Sequence, residues 1–163
     1  MRIAIYPGTF DPITYGHLDI IKRASRIFDT TIVAVAENPR KSPLFSLEER
    51  ELMIRESVKG IKNIEVDVFK GLLVYYAKKK NATAIVRGLR AVSDFDYEFQ
   101  MALLNRKLVP ELETVYLMPN EEYTYINSTI VKEVAFFGGK LDCFLPPVVV
   151  KALAKKVGER NGK

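Results

Sequence analysis

The chain has 163 residues, of which 48% are hydrophobic and 28% are charged. This composition is typical of a single folded domain and excludes a disordered or low-complexity protein. Twenty-five basic residues outnumber twenty acidic ones, which gives a net charge of +5. Such an excess suits nucleic acid, anionic lipid or a phosphorylated small molecule, so the positions of the charges must decide among these partners.

The remaining composition favours a cytoplasmic protein that does not enter membranes. The single cysteine, Cys143, allows no intrachain disulfide. No apolar run approaches the roughly eighteen residues of a membrane span, and no leader pattern is visible at the N-terminus. We therefore expect one domain over residues 1–163, with Gly158 to Lys163 as a frayed polar tail.

Strand and helix patterns alternate along the chain. In order, they predict the strand Arg2–Tyr6, a helix over 17–28, the strand Thr31–Ala36, a helix after the capping box Ser46-Leu47-Glu48-Glu49, the strand Ile64–Phe69, a helix over 72–80, the strand Ala84–Arg87, a helix over 95–108, the strand Thr114–Met118, a short helix near Ser128 and a last helix near Pro147. The alternation of apolar and acidic residues in Ile64–Phe69 predicts an edge strand. The whole order predicts an α/β fold, a Rossmann-like doubly wound five-stranded parallel sheet with helices on both faces.

The loop after the first strand carries the only histidine of the chain. Pro7-Gly8-Thr9-Phe10 follows the strand directly, and Tyr15-Gly16-His17 opens the first helix. A helix N-terminus favours anions, so His17 is predicted either to cap the helix or to donate a hydrogen bond to a phosphate oxygen. The helix dipole favours a neutral imidazole there. The loop does not follow the G-x-G-x-x-G pattern of dinucleotide-binding sites.

Two arginines close the fourth predicted strand, in Arg87-Gly88-Leu89-Arg90. They stand apart from acidic residues in the sequence, and their paired planar donors suit a phosphate. The alternative is two ordinary surface arginines. Because ligands of doubly wound sheets bind beyond the carboxyl ends of the strands, this position favours the phosphate interpretation.

Three further segments follow strands and carry polar side chains. Lys41 stands between two prolines and is either solvated or phosphate-binding. Ser128 or Thr129 is predicted to cap the next-to-last helix, which is compatible with phosphate binding at the same place. The carboxylates of Asp94, Asp96 and Glu98 suit a helix start, and a contact with ribose or magnesium is the alternative. No Cys and His spacing indicates a metal site, and neither G-x-S-x-G nor G-x-x-x-x-G-K-[ST] is present.

These segments together resemble known enzymes. Tyr6-Pro7-Gly8-Thr9-Phe10-Asp11-Pro12 with Gly16-His17 resembles the opening of the nucleotidyltransferase superfamily, and Ser128-Thr129 resembles its second signature. Lys132 stands where that signature often has Arg, and Asn127 replaces its first Ser. Arg87-Gly88-Leu89-Arg90-Ala91 with Asp94-Phe95-Asp96-Tyr97-Glu98 resembles the bacterial phosphopantetheine adenylyltransferase family, as do Asn105-Arg106 and Pro110-Glu111-Leu112-Glu113. The resemblance extends from Ile3 to about Ala154.

The resemblance implies a reaction and its site. The phosphate of 4′-phosphopantetheine would attack the α-phosphorus of ATP in line and without a covalent intermediate, giving dephospho-coenzyme A and pyrophosphate, with Mg²⁺ bound to ATP and no metal ligand from the protein. Catalytic roles are implied for Thr9, His17, Lys41 and Arg90. The implied ATP site comprises Thr9, Phe10, His17, Gly88, Leu89, Arg90, Glu98, Tyr123, Thr124, Tyr125, Ile126, Asn127, Ser128 and Thr129. The implied phosphopantetheine site comprises Thr9, Lys41, Leu73 and Arg87. A homohexamer built as two trimers is also implied.

Three other functions stay open on the sequence alone. A related adenylyl- or cytidylyltransferase, acting on nicotinamide mononucleotide or glycerol phosphate, would share the Gly16-His17 and Ser128-Thr129 elements. A nucleic-acid-binding module would use the net charge and Lys78-Lys79-Lys80, although that run suits a solvated helix end. A nucleotide sensor would bind ATP without releasing pyrophosphate.

Overall fold

The computed structural model describes residues 1–37 and 42–161, with side chains described through residue 159. The strands of this part are β1 (Ile3–Gly8), β2 (Thr30–Glu37), β3 (Ile64–Lys70), β4 (Ala84–Gly88) and β5 (Glu113–Leu117). The helices are α1 (Tyr15–Ile27), α2 (Leu47–Ser57), α3 (Leu73–Lys79), α4 (Val92–Leu108), α5 (Ser128–Phe136) and α6 (Pro147–Asn161), with a 3₁₀ turn at Glu121–Tyr123.

The five strands form one parallel sheet in the order β3-β2-β1-β4-β5. The chain runs outwards from β1 in one direction and then from β4 in the other, so the order reverses between these two central strands. The predicted doubly wound parallel sheet is therefore confirmed, and β3 lies at an edge as predicted. In such sheets the crevice at the reversal point, beyond the carboxyl ends of the strands, is the usual place for a ligand.

Side chains that alternate along the central strands build a core on each face of the sheet. Ala4 and Tyr6 of β1 pack in one apolar cluster with residues of α1, α2, α5 and α6. Ile5, between them, belongs to the second cluster, which includes residues of α3 and the segment after α4. Because both faces are covered, the strands read as nearly continuous apolar runs in the sequence.

Some helix ends differ from the sequence-based prediction. α1 begins at Tyr15 rather than 17, because Thr14 accepts a hydrogen bond from the His17 N–H and acts as the N-cap. α4 begins at Val92 rather than 95, after an Ala91 that makes no side-chain cap bond. α6 continues through Gly158 to Asn161, so the tail predicted from Gly158 is helical over its described part.

None of the helices in residues 1–37 and 42–161 is both long enough and apolar enough to cross a membrane.

Candidate active site

A cavity of about 640 Å³ opens beyond the carboxyl ends of β1 and β4, where the strand order reverses. Most of the site residues named from the sequence line it, although they come from five separate segments of the chain. These residues are Thr9, Phe10, His17, Arg87, Gly88, Arg90, Glu98, Tyr123, Ile126, Asn127, Ser128 and Thr129. The fold therefore brings together side chains that are up to 120 positions apart in the sequence.

His17 is the third residue of α1 and completes a capping box with Thr14. The backbone N–H of Thr14 donates to Nδ1 of His17 over 3.0 Å, and the N–H of His17 donates to Thr14 Oγ1 over 3.4 Å. Since Nδ1 accepts a hydrogen bond, the proton of the neutral ring must be on Nε2. The capping role considered from the sequence is thus present, and it leaves an N–H donor on the other side of the ring.

The imidazole of His17 is neutral at physiological pH. Burial, together with the positive charge of Arg90, lowers the pKa of His17 from its ordinary value to about 4. The neutral state predicted from the helix dipole is therefore supported, with burial as the main cause. A neutral Nε2–H in a cavity suits hydrogen bonding to an anionic ligand but not the storage of a proton.

The turn at Thr9 and Phe10 is tightly packed. Phe10 has a φ of 49°, which is unusual for a residue with a side chain. Its ring is 2% exposed and lies edge-on to the rings of Tyr6 and His17, at centroid distances of 5.6 and 5.1 Å. A Cβ atom at Gly8 would lie 2.8 Å from the Phe10 ring, so only glycine allows this close approach.

Both arginines at the end of β4 have acidic partners, contrary to the sequence-based expectation. Nε of Arg87 donates to Glu98 over 2.9 Å, and a second guanidinium nitrogen donates to the other carboxylate oxygen. Arg90 Nε lies 3.5 Å from Asp94, and its Nη1 donates to the Ile126 carbonyl over 3.2 Å. The acidic residues come from the first turns of α4, which pack beside β4. Glu98, 8% exposed, orients Arg87 at the cavity wall.

The start of α5 forms the opposite wall. Asn127, rather than Ser128 or Thr129, is the N-cap, because its Oδ1 accepts a hydrogen bond from the Ile130 N–H over 2.9 Å. The Ser128 hydroxyl instead donates to the Pro12 carbonyl over 2.8 Å and so ties α5 to the loop after β1. The first N–H groups of α5 therefore begin at the cavity, as phosphate binding at a helix start requires.

Asp11, to which no role was assigned from the sequence, joins three segments around the cavity. Its carboxylate accepts hydrogen bonds from the Leu44 and Phe45 N–H groups, both over 2.9 Å. Lys132 of α5 donates to the same carboxylate over 2.7 Å. Asp11 is 5% exposed, so this arrangement is a buried ion pair supplemented by two backbone hydrogen bonds. Such partners, 33 to 121 positions away, cannot be recognised in one sequence.

The other named residues lie elsewhere. Lys41 is outside the described residues. Leu73 lines a second, smaller cavity of about 110 Å³, to which Arg87 and Glu98 also contribute. Leu89, Thr124 and Tyr125 do not line the main cavity; Leu89 continues the β4–β5 pairing by donating to Leu117, and Tyr125 is 64% exposed.

The carboxylates at the cavity are all occupied by protein partners. Asp11 binds Lys132, Asp94 binds Arg90 and Glu98 binds Arg87. Within the described ranges, no group of three or more His, Cys, Asp and Glu side chains is arranged to hold a metal ion.

A family model and curated relatives both match this chain over most of its length. Residues 5–134 match the family model described as cytidylyltransferase-like. A phosphopantetheine adenylyltransferase from Caldanaerobacter subterraneus is 59% identical over 156 residues, which covers 96% of this chain and 98% of that protein. One from Alkaliphilus metalliredigens is 57% identical, over 96% of this chain and 99% of that protein.

A solved structure also matches. The crystal structure of a protein named "Putative Nicotinate-nucleotide Adenylyltransferase", from Vibrio parahaemolyticus, has a TM-score of 0.69 and 19% sequence identity. The match covers 94% of this chain and 99% of that one. At this identity the likeness concerns the fold, and it agrees with the strand order described above.

Proposed function

Because the chain belongs to the phosphopantetheine adenylyltransferase family, we propose that it transfers the adenylyl group of ATP to 4′-phosphopantetheine. The products are dephospho-coenzyme A and pyrophosphate, in the synthesis of coenzyme A. The observation that carries this proposal is the cavity at the strand reversal, where a neutral imidazole N–H, two arginines and the start of α5 face one another. These groups suit two phosphorylated substrates.

The reaction needs positioned donors more than a general base. The nucleophile is a phosphate oxygen that is already anionic, so no proton has to be removed from it. It attacks the α-phosphorus of ATP in line, the bond to the bridging oxygen breaks, and pyrophosphate leaves with that electron pair. Charge that develops on the α-phosphate oxygens is stabilised by fixed donors.

His17 is the donor best suited to that charge. Its Nδ1 is occupied by the Thr14 N–H, so its Nε2–H is the group available to the α-phosphate. Thr9, at the end of β1, orients the attacking phosphate. Arg90 and the first N–H groups of α5, at Ser128 and Thr129, bind the β- and γ-phosphates.

The remaining ATP contacts follow from the segments that border the cavity. We assign the nucleoside to the walls formed by Phe10, the end of β4 and the segment from Tyr123 to Ile126. Leu89, Thr124 and Tyr125 have weaker support, because they do not line the cavity. Glu98 acts through Arg87, since its carboxylate is bound by that guanidinium.

Arg87 and Lys41 hold the phosphate of phosphopantetheine, and the pantetheine arm extends towards Leu73. Support comes from Arg87, which lines both the main cavity and the smaller one that contains Leu73. One guanidinium can thus contact a ligand that reaches from one cavity to the other. The role of Lys41 rests on the family resemblance.

We propose that Mg²⁺ would be carried by ATP rather than by the protein, and that it would supply neutralisation of the phosphate charge. The donor set supports this arrangement, because the carboxylates at the cavity are bound by Arg87, Arg90 and Lys132. On the protein, the phosphates are then bound and oriented by these three basic side chains and by His17.

We further propose that the chain assembles as a homohexamer of two trimers in the cytoplasm. α4 supports self-association because it exposes apolar side chains on two opposite stripes. One stripe carries Val92, Phe95, Phe99 and Leu103, and the other carries Tyr97, Leu104 and Leu108, all at least 44% exposed. Two stripes suit contacts with two different neighbours, as a pair of stacked trimers requires.

The other functions have less support. The solved structure named for nicotinate nucleotide shares the fold at 19% identity, whereas the Caldanaerobacter phosphopantetheine adenylyltransferase is 59% identical. In the run Lys78-Lys79-Lys80, Lys80 lies 2.6 Å from Asp67 and Lys78 lies 3.4 Å from Glu111. These pairs support a helix end rather than a nucleic-acid contact.

Pyrophosphate release from MgATP tests the proposal. We expect release that depends on 4′-phosphopantetheine, with no release when nicotinamide mononucleotide replaces it. Release with nicotinamide mononucleotide alone would refute the assigned acceptor while keeping the ATP site. Binding of MgATP without release with either acceptor would instead support a nucleotide sensor.

A further inference from the structure

Arg50 is a buried arginine that contacts the segment after β1 and has no role in the mechanism proposed above. It lies on the first turns of α2 and is 3% exposed. Buried arginines are normally paired with a carboxylate. Among the described residues, the hydrogen-bond acceptors of Arg50 are three backbone carbonyls instead, those of Thr9, Ala36 and Ser46.

The carbonyls of Thr9 and Ala36 lie where the pairing of β1 with β2 stops. The register of β1 with β2 ends at the pair Gly8 and Val35. The next residues are Thr9 and Ala36, and Nη1 of Arg50 donates to both of their carbonyls, over 2.7 and 3.2 Å. The guanidinium therefore joins the two strands one residue beyond their last direct pair.

The hydrogen bond to Thr9 also fixes the peptide group that follows. In a trans peptide the C=O and the N–H point in opposite directions. The Thr9 carbonyl points towards Arg50, so the Phe10 N–H points away from Arg50, and both Thr9 and Phe10 line the cavity. No acceptor for this N–H is found among the described residues.

This peptide is joined to a backbone conformation that needs support. A φ of 49° at Phe10 is unfavourable for a residue with a side chain and persists only where the surroundings impose it. The ring of Phe10 packs edge-on against His17, at 5.1 Å between centroids. A change at the Thr9 carbonyl would therefore reach both the Phe10 N–H and the imidazole.

We propose that Arg50 is a positioning residue, which holds the Thr9–Phe10 peptide so that the Phe10 N–H donates to a phosphate of ATP. The inference rests on the proposed function for the identity of the nucleotide. It adds a buried arginine outside both signature segments to the groups on which the site depends.

The test compares Arg50→Met and Arg50→Lys with Arg55→Met and Arg55→Lys. Arg55 is a matched control, because it lies on the same helix and its Nη2 also donates to a strand carbonyl, that of Val66, over 2.7 Å. It lines neither cavity. Each variant is assayed as the full chain for MgATP affinity, for kcat and KM with 4′-phosphopantetheine, and for thermal unfolding.

We expect Arg50→Met to bind MgATP about 10-fold more weakly, as for loss of a hydrogen bond to a charged group. We expect kcat to fall about 10- to 100-fold, because donors to the reacting phosphate act most strongly in the transition state. Arg50→Lys retains the charge but replaces the separate Nε and Nη1 donors to Ser46 and Thr9 with one ammonium, so intermediate losses are expected. The Arg55 variants should keep wild-type affinity and kcat, whatever their thermal stability.

A direct readout is the Phe10 amide resonance in protein labelled with ¹⁵N-phenylalanine. It should shift when MgATP is added to the wild type and to Arg55→Met, and should shift much less in Arg50→Met. Arg50 variants that match the Arg55 variants in affinity, kcat and this shift would overturn the proposal. If Arg50→Met does not fold, the comparison of Arg50→Lys with Arg55→Lys tests the proposal through the same MgATP affinity, kcat and amide shift.

The two proposals can fail separately. A wild type that binds MgATP but releases no pyrophosphate with phosphopantetheine would refute the proposed function. The affinity and amide comparisons would still decide the role of Arg50. A wild type that binds no MgATP would refute both.

Discussion

At the scale of single residues, His17 has two ring nitrogens with different tasks. Nδ1 accepts the Thr14 N–H and completes the cap of α1, whereas Nε2 carries the proton that we propose is donated to the α-phosphate. Glutamine is a usual residue at this third helical position, because its side chain also accepts a hydrogen bond from the N-cap N–H. The structural and chemical tasks can therefore be separated by substitution.

We predict that His17→Ala lowers kcat about 10²- to 10³-fold, since it removes the Nε2–H donor. His17→Gln should also lower kcat, because its amide keeps an N–H donor but cannot hold it in the position of the imidazole N–H while its oxygen caps the helix. Only His17→Ala should also lower the free energy of unfolding, by about 1 kcal/mol, because the Thr14 N–H loses its acceptor. Steady-state kinetics and thermal unfolding at one protein concentration measure the two effects. Retention of most of the kcat by His17→Ala would show that the imidazole does not act on the phosphate.

The low pKa of His17 also makes stability depend on pH. The folded-state pKa is about 4, below the ordinary value of ~6.5, so the unfolded chain binds more protons between these values. Stability should therefore fall as the pH decreases through this window. Relative to His17→Gln, the wild type should lose up to about 2 kcal/mol between pH 7 and pH 5. Parallel pH dependences of the two proteins would contradict the pKa assignment.

The residues that the sequence revealed are those in local motifs. Thr9 and His17 stand in a Pro- and Gly-rich loop that marks itself as unusual. Arg50 stands in no such motif. In the sequence, the run Leu-Glu-Glu-Arg looks like the solvent-exposed charged face of an ordinary helix. Its partners are backbone carbonyls up to 41 positions away, and carbonyls carry no sequence signal.

At the scale of elements, hydrophobic patterns located the strands within one or two residues, because strands covered on both faces consist mainly of apolar residues. The start of α4 was placed three residues late, since Ala91 makes no side-chain cap and gives no signal. At α5, Asn127 took the cap that Ser128 and Thr129 were expected to provide. Which of three adjacent capping residues is used depends on the tertiary contact of Ser128 with Pro12.

Asp11 connects elements, so its loss should be felt across the domain. Asp11→Ala leaves two backbone N–H groups and the Lys132 ammonium without their acceptor. We expect a loss of about 3 kcal/mol, or a fall in Tm of roughly 6–12 °C. Thermal unfolding at equal protein concentration measures it.

The control for Asp11→Ala is Glu56→Ala, which removes an exposed ion pair with Lys59. Exposed pairs contribute little, so Tm should stay within about 1 °C of the wild type. Equal shifts in the two variants would mean that Asp11 does not join the three segments energetically.

At the scale of the whole molecule, the two apolar stripes of α4 predict the assembly state. Leu103→Glu and Leu104→Glu each place a charge on one stripe, where both residues are at least 50% exposed. Because burying a charge is costly, each should reduce the mass below that of a hexamer, and they should do so at different interfaces. Gln100→Glu adds the same charge to an exposed polar position of α4 and should leave the assembly unchanged. Sedimentation equilibrium measures the masses. If all three variants remained hexameric, α4 would be excluded from the contacts between subunits.

The capped imidazole of His17 has one more consequence for the molecule as a whole. The chain has one histidine, and its ring is held neutral down to about pH 4. Between pH 6 and 8 the charge of this ring therefore does not change. A phosphate monoester loses its second proton near pH ~6, within that interval. Any slope of the rate between pH 6 and 8 should then report the ionisation of the acceptor rather than of this histidine, so the substrate would set the pH response of its own conversion.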